Sequence, residues 1–243
     1  MSRLLKATLM LVVAASALTV ANAQTENAWL SFYDQAPVIR IVDPMANAVG
    51  SVVDGQNTLV IHLTDVALYT GHVCPGVASG YMLTSAALTA LYPDSTPVRG
   101  QIRVAASAPN GVFDLASYVT GARAFYGRDE INGGDLAVDP SLKSEVPGDF
   151  VIVFQRKDTG AAVKATLNKI PLMTPEQKAA FKSFQAAVYN GTATEEQKQE
   201  VWARIQAIVK AVIVDTPEGV IAVAPLAGYV FPEAPEGEHG HDH

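Results

Sequence analysis

His72 and Cys74, in the stretch Gly71-His72-Val73-Cys74-Pro75-Gly76, are the residues best equipped for chemistry. The chain contains one cysteine, and a histidine stands two positions before it. In extended backbone, residues i and i+2 point the same way. An imidazole nitrogen and a thiolate sulfur could then approach one ion, and this donor pair suits a transition metal. Pro75 fits the first position of a helix, which makes Cys74 its N-cap. A helix N-terminus favours a thiolate over a thiol. The same arrangement would serve a nucleophile beside a base, and an inert buried cysteine would leave the same pattern. From spacing alone, all three readings stand.

A second constellation closes the chain. His239, His241 and His243 alternate beside Glu236, Glu238 and Asp242 on a Pro/Gly/acidic segment. Such tracts bind Zn²⁺, Ni²⁺ or Cu²⁺ loosely while the imidazoles are neutral. A solubilising tail or a cloning remnant is the plain alternative. His62 falls in a strand pattern and is expected to be a core histidine. Gly76 and Gly80 are one helical turn apart; glycine is costly inside a helix, so they mark either close packing or room for a ligand.

The elements that must position these groups follow from periodicity. Strands are expected at Ala36–Val42, ending at Asp43-Pro44, and at Thr58–Leu63. Thr64-Asp65 caps a single helical turn, Val66–Tyr69. A helix runs from Pro75 to Leu91 and stops before Pro93-Asp94. Val98–Ala106 reads as a strand, Val112–Tyr118 as a short helix and Arg128–Pro140 as loop. Asp149–Arg156 and Ala161–Leu167 form a hairpin about Lys157-Asp158-Thr159-Gly160. Two helices follow, opened by Thr174-Pro175-Glu176-Gln177 and Thr194-Glu195-Glu196-Gln197. The first carries the apolar stripe Phe181, Phe184 and Val188, the second Trp202, Ile205, Val209 and Val212. Gly219–Ala224 is a last strand. The expected class is α/β of the α+β type: a mixed sheet flanked by helices, with a C-terminal helical hairpin at about 174–214.

Composition narrows the function classes. The first 23 residues have a basic start (Arg3, Lys6), an apolar run and the small-x-small site Ala21-Asn22-Ala23, the pattern of a secretory signal peptide. The mature chain is then expected to begin at Gln24, with one domain over 24–232 and a tail over 233–243. Export across an inner membrane is expected, into the periplasm of a diderm host, with no membrane insertion after processing. There are 24 acidic and 17 basic residues, a formal charge of −7. That balance disfavours nucleic acid as a partner. Hydrophobic residues make up 49% of the chain, enough for a globular core rather than a disordered chain. No Ser-His-Asp, Walker or dinucleotide motif offers another chemistry.

Tyr69-Thr70-Gly71-His72-Val73-Cys74-Pro75-Gly76-Val77-Ala78-Ser79-Gly80-Tyr81 resembles the signature GHxCPGxxxGY of the FmdE-like domain family, which takes its name from formylmethanofuran dehydrogenase. Asp114, followed after five residues by Thr120-Gly121, resembles its second block. Arg156, Thr159-Gly160 and Val163-Lys164 resemble its closing hairpin. The resemblance covers about residues 55–170, with Thr216-Pro217-Glu218 similar to a remnant of its C-terminal segment. It implies an α/β fold and metal binding at His72 and Cys74, in a site that needs other donors, with Asp114 the best candidate, or a solvent ligand. A ligand pocket is expected at Gly76, Gly80, Tyr81 and Thr120, with the two glycines opening it over the sheet. Two positions depart from the family pattern: Gly111 and Ala122 stand where further cysteines are usual, and the helical hairpin replaces a cysteine-rich zinc ribbon. The resulting expectation is an exported metal-binding protein, with zinc ahead of nickel or copper. The alternatives are an enzyme using Cys74 or a bound metal, and a module binding a small molecule or partner protein.

Overall fold

The computed structural model describes residues 28–53, 55–123 and 134–232. The expected signal segment and the imidazoles at 239, 241 and 243 lie outside them. The architecture below is that of the unit beginning at Phe32.

Two short strands come first. Ile39–Val42 (β1) pairs antiparallel with Thr58–Ile61 (β2), with Ile39 opposite Ile61 and Val42 opposite Thr58. Asp43-Pro44 ends β1 as expected and also starts a helix, Pro44–Ala48 (α1). The Asp43 carboxylate accepts from the Met45 and Ala46 N–H groups at 3.0 and 3.3 Å. Asp-Pro is therefore an N-cap and first helical position here.

His62 is not a core strand residue. It is exposed and caps Leu63–Thr70 (α2), a helix of two turns where one was expected. Asp65 sits at the third position and accepts from the His62 N–H at 2.7 Å. The cap therefore lies earlier in the chain than Thr64-Asp65 suggests, because Asp65 reaches back to it from within the helix. Gly71, at φ +76°, ends α2 in the left-handed conformation that glycine adopts without strain. Pro75–Leu91 (α3) then starts and stops where expected, with Cys74 as its N-cap.

Ile102–Ala106 (β3) is shorter than its pattern. Val98 instead makes an isolated bridge to Val42, and Arg99 reaches Asp43 at 3.6 Å. Gly111–Thr120 (α4) is capped by Asn110, whose Oδ1 accepts from Val112 and Phe113 N–H at 2.8 and 3.2 Å. Leu136–Val138 (β4) lies inside the stretch expected to be loop; it pairs parallel with β3, a contact no local pattern announces. Asp149–Arg156 (β5) and Ala162–Asn168 (β6) form the expected hairpin, and Ile221–Pro225 (β7) adds to β6. The sheet order is β4-β3-β5-β6-β7, antiparallel except for β3 beside β4.

The class is thus mixed α/β, as the sequence indicates. Val151 to Gln155 of the central strand are all buried, so both faces of the sheet are covered there. On one of them α3 packs across β5, β6 and β7, while α4 packs on α3 and β3. Pro175–Tyr189 (α5) and Glu195–Val214 (α6) follow, each opened by the Thr/Gln capping box. Only α6 enters the core, through Val209, Val212 and Ile213, where it packs on α3. No residue of α5 is buried, and Trp202 of α6, expected on the apolar stripe, is exposed.

Candidate functional site

The start of α3 faces a cleft of about 550 Å³ whose lining includes His72, Cys74, Gly76, Asp114 and Lys169. Alternation along extended backbone builds its first wall. Val73 is buried, whereas His72 is exposed and Cys74 partly so. Cys74 has φ −110° and ψ 173°, which keeps the segment extended up to the helix. The Val73 carbonyl accepts from Gln206 Nε2 of α6 at 3.1 Å. Gln206 Oε1 in turn accepts from the buried Tyr33 hydroxyl at 2.9 Å. One glutamine thus clamps the middle of the His-x-Cys segment.

His72 Nδ1 lies 3.0 Å from the Thr70 carbonyl. A carbonyl can only accept, so Nδ1 carries a proton, and in the neutral ring the lone pair is then on Nε2. That is the tautomer a metal-ligating imidazole needs. Asp114 is exposed in the first turn of α4 and lines the same cleft. Its carboxylate is also well placed for the positive end of that helix. His72, Cys74 and Asp114 therefore share one cleft. Among the described residues, however, no three His, Cys, Asp or Glu side chains are close enough together to hold an ion. The donor types fit a transition metal, and a complete shell would need one of these side chains to move or an exogenous donor to join.

Of the expected pocket residues, only Gly76 lines the cleft. A Cβ there would lie 3.5 Å from Lys169 Nζ and 3.6 Å from Cys74 Sγ. Gly80 instead faces Val112 and Leu115 at the seam of α3 and α4, where a Cβ would make ordinary contacts at 3.4 to 3.5 Å. Tyr81 is buried, and its hydroxyl lies 2.7 Å from both the Pro37 and Ile61 carbonyls, tying β1–β2 to α3. Burial raises its pKa well above the ordinary tyrosine value. Thr120 is buried and donates to the Ala116 carbonyl at 2.7 Å. These three residues hold the interior together.

Sequence reasoning missed Lys169 and Gln206. Lys169 follows β6, and Asn168 Oδ1 accepts from the Ile170 N–H at 2.8 Å to fix that corner. Burial pushes the Lys169 amine below the usual lysine range; the Cys74 sulfur opposes this, and Lys178 adds to it. Tyr69 lines the cleft mouth and stacks on Tyr118, with ring centroids 4.9 Å apart.

A family model described as "FmdE, Molybdenum formylmethanofuran dehydrogenase operon" matches residues 69–221. The chain belongs to the FmdE family. The match begins at Tyr69, includes every cleft residue named above and continues past residue 170 through α5 and α6. The helix that clamps His-x-Cys thus falls within the FmdE span. No curated protein matches the chain, and no solved structure does. At Gly111, where the family pattern commonly has cysteine, a Cβ would meet nothing within 4 Å, so a side chain at that position would be accommodated.

Proposed function

We propose that this FmdE protein binds a transition metal ion in the α3 cleft through Cys74 Sγ and His72 Nε2, with Asp114 as the nearest further donor. The observation that carries this reading is the hydrogen bond from His72 Nδ1 to Thr70, which leaves Nε2 free on the wall that also presents Cys74. A bound ion would supply Lewis acidity at a site with an open coordination position. The protein's own part is to fix the imidazole tautomer, hold Val73 and present sulfur at a helix start. Zinc accepts one sulfur, one nitrogen and an oxygen in a tetrahedral site, and is the ion we place first, ahead of nickel or copper. The tail imidazoles at 239, 241 and 243 gather metal loosely, and the first 23 residues direct export.

The test is metal analysis of protein purified without added metal, followed by zinc titration of the full mature chain and of chain lacking residues 236–243. One tight site should persist in the shorter chain and disappear in Cys74→Ser. Because the sulfur must lose its proton to bind, affinity should fall as pH decreases. Unchanged tight binding in Cys74→Ser would refute the assignment. Identical weak binding with and without the tail would refute the gathering role.

A further inference from the structure

Lys169 has no role in the metal reading, yet it is the one lysine or arginine lining the cleft among the described residues. Its amine is close to a point that is also close to Cys74 Sγ, with Gly76 leaving that space open. Among the described residues, neither Lys169 nor Lys178, the second lysine acting on it, forms an ion pair. Lys169 is thus a half-buried cation in the cleft wall with no ion-pair partner among the described residues. A partly desolvated cation in that state favours an anion from solution.

The remaining walls describe that anion. Val77 and Val112 line the cleft, and Tyr69 brings a ring whose orientation the Tyr118 stack fixes. The volume is far more than a lone ion fills and lies in the range of small-molecule pockets. Gly76 and Val77 also line it, at a helix start with no side-chain cap. We infer that the cleft takes a small organic monocarboxylate, its carboxylate held by Lys169 and its apolar body set against Tyr69, Val77 and Val112. Only the zinc-loaded arm of this inference rests on the metal reading, in which Cys74 is taken up by the ion.

The experiment titrates the full mature chain, zinc-loaded and metal-free, with benzoate and with neutral benzamide, by calorimetry and ligand-observed NMR. Benzoate should bind saturably, more tightly with zinc, and at least about tenfold better than benzamide, since a hydrogen bond to a charged group is at stake. Lys169→Met should weaken benzoate by about ten- to a hundredfold, and Lys169→Arg should retain most of the affinity. Zinc stoichiometry in Lys169→Met should equal that of the unaltered protein, which separates this inference from the metal reading. Loss of the zinc site in Cys74→Ser is judged independently. The inference is overturned if benzoate does not bind in either state up to about 10 mM. Equal binding of benzamide, or undiminished binding in a folded Lys169→Met, also overturns it. If Lys169→Met fails to fold, the benzoate/benzamide ratio and Lys169→Arg decide.

Discussion

Replacing Gln206 by leucine tests whether α6 builds the site or merely covers the core. Gln206 joins two buried groups, the Val73 carbonyl and the Tyr33 hydroxyl. Leucine fills similar space and pairs with neither. Each buried group left without a partner costs roughly 1–3 kcal/mol. Gln206 itself is only partly buried, so water recovers some of that loss, and the added apolar contact returns about 1 kcal/mol. The net expectation is a loss of about 2 kcal/mol, read as a lower denaturation midpoint at unchanged m-value. The site should suffer separately. Freeing Val73 releases the backbone that holds His72 and Cys74, at about 1 kcal/mol per residue that must be re-ordered on binding. Zinc affinity should therefore fall about tenfold or more. In a double-mutant cycle, Tyr33→Phe should cost much less in the leucine background, because the hydroxyl has already lost its acceptor. Additive effects, or an unchanged midpoint together with unchanged zinc affinity, would refute the clamp.

Four other outcomes are expected. Gly80→Ala should raise the melting temperature by a few degrees, since its Cβ makes ordinary contacts and alanine gains about 1 kcal/mol in a helix interior; zinc affinity should not change. Gly76→Ala should fold equally well but weaken zinc and benzoate binding, because its Cβ fills the space between Lys169 Nζ and Cys74 Sγ; calorimetric titration checks both glycine variants. Burial raises the Tyr33, Tyr81, Tyr92 and Tyr229 phenols above their ordinary value, Tyr92 to about 12. The folded state therefore holds these protons more tightly than the unfolded state. Their contribution is complete below about pH 10 and is lost as pH rises through the folded-state values, so tyrosinate absorbance should appear together with loss of circular dichroism. Finally, Asp135→Asn should cost about 3 kcal/mol in chemical denaturation. The Asp135 side chain is 3% exposed and pairs with Lys157 at 2.8 Å and Arg103 at 3.4 Å, which would be left without their counter-charge.

The parts of the fold visible in the sequence are those fixed by near neighbours. Thr174/Gln177 and Thr194/Gln197 are reciprocal pairs within one turn, so the starts of α5 and α6 are directly legible. Pro75 makes α3 legible in the same way. By contrast, β4 exists because Val104, Ala105 and Ala106 pair with it across α4, and α1 is hidden because Asp-Pro ends a strand as readily as it opens a helix. The site shows the same division. His72, Cys74 and Asp114 stand out through motif and resemblance, and they do line one cleft. Gly80 and Tyr81 share that motif, but one packs α4 and the other ties down the first two strands. A recurring pattern preserves packing as readily as chemistry. Lys169 and Gln206 have no local signal; only the fold brings them to the cysteine.

The cleft walls come from residues 69–77, 110–114 and 169, with the clamp from residue 206. No continuous stretch of chain contains the site, so partial folding cannot supply it. Occupancy and global stability are therefore linked variables. A ligand present at a hundred times its dissociation constant adds about 2.7 kcal/mol to folding stability, and the chain must have folded through α6 before it can bind there. A distant core lesion would then weaken apparent binding in the cleft once it leaves a sizeable fraction of the chain unfolded.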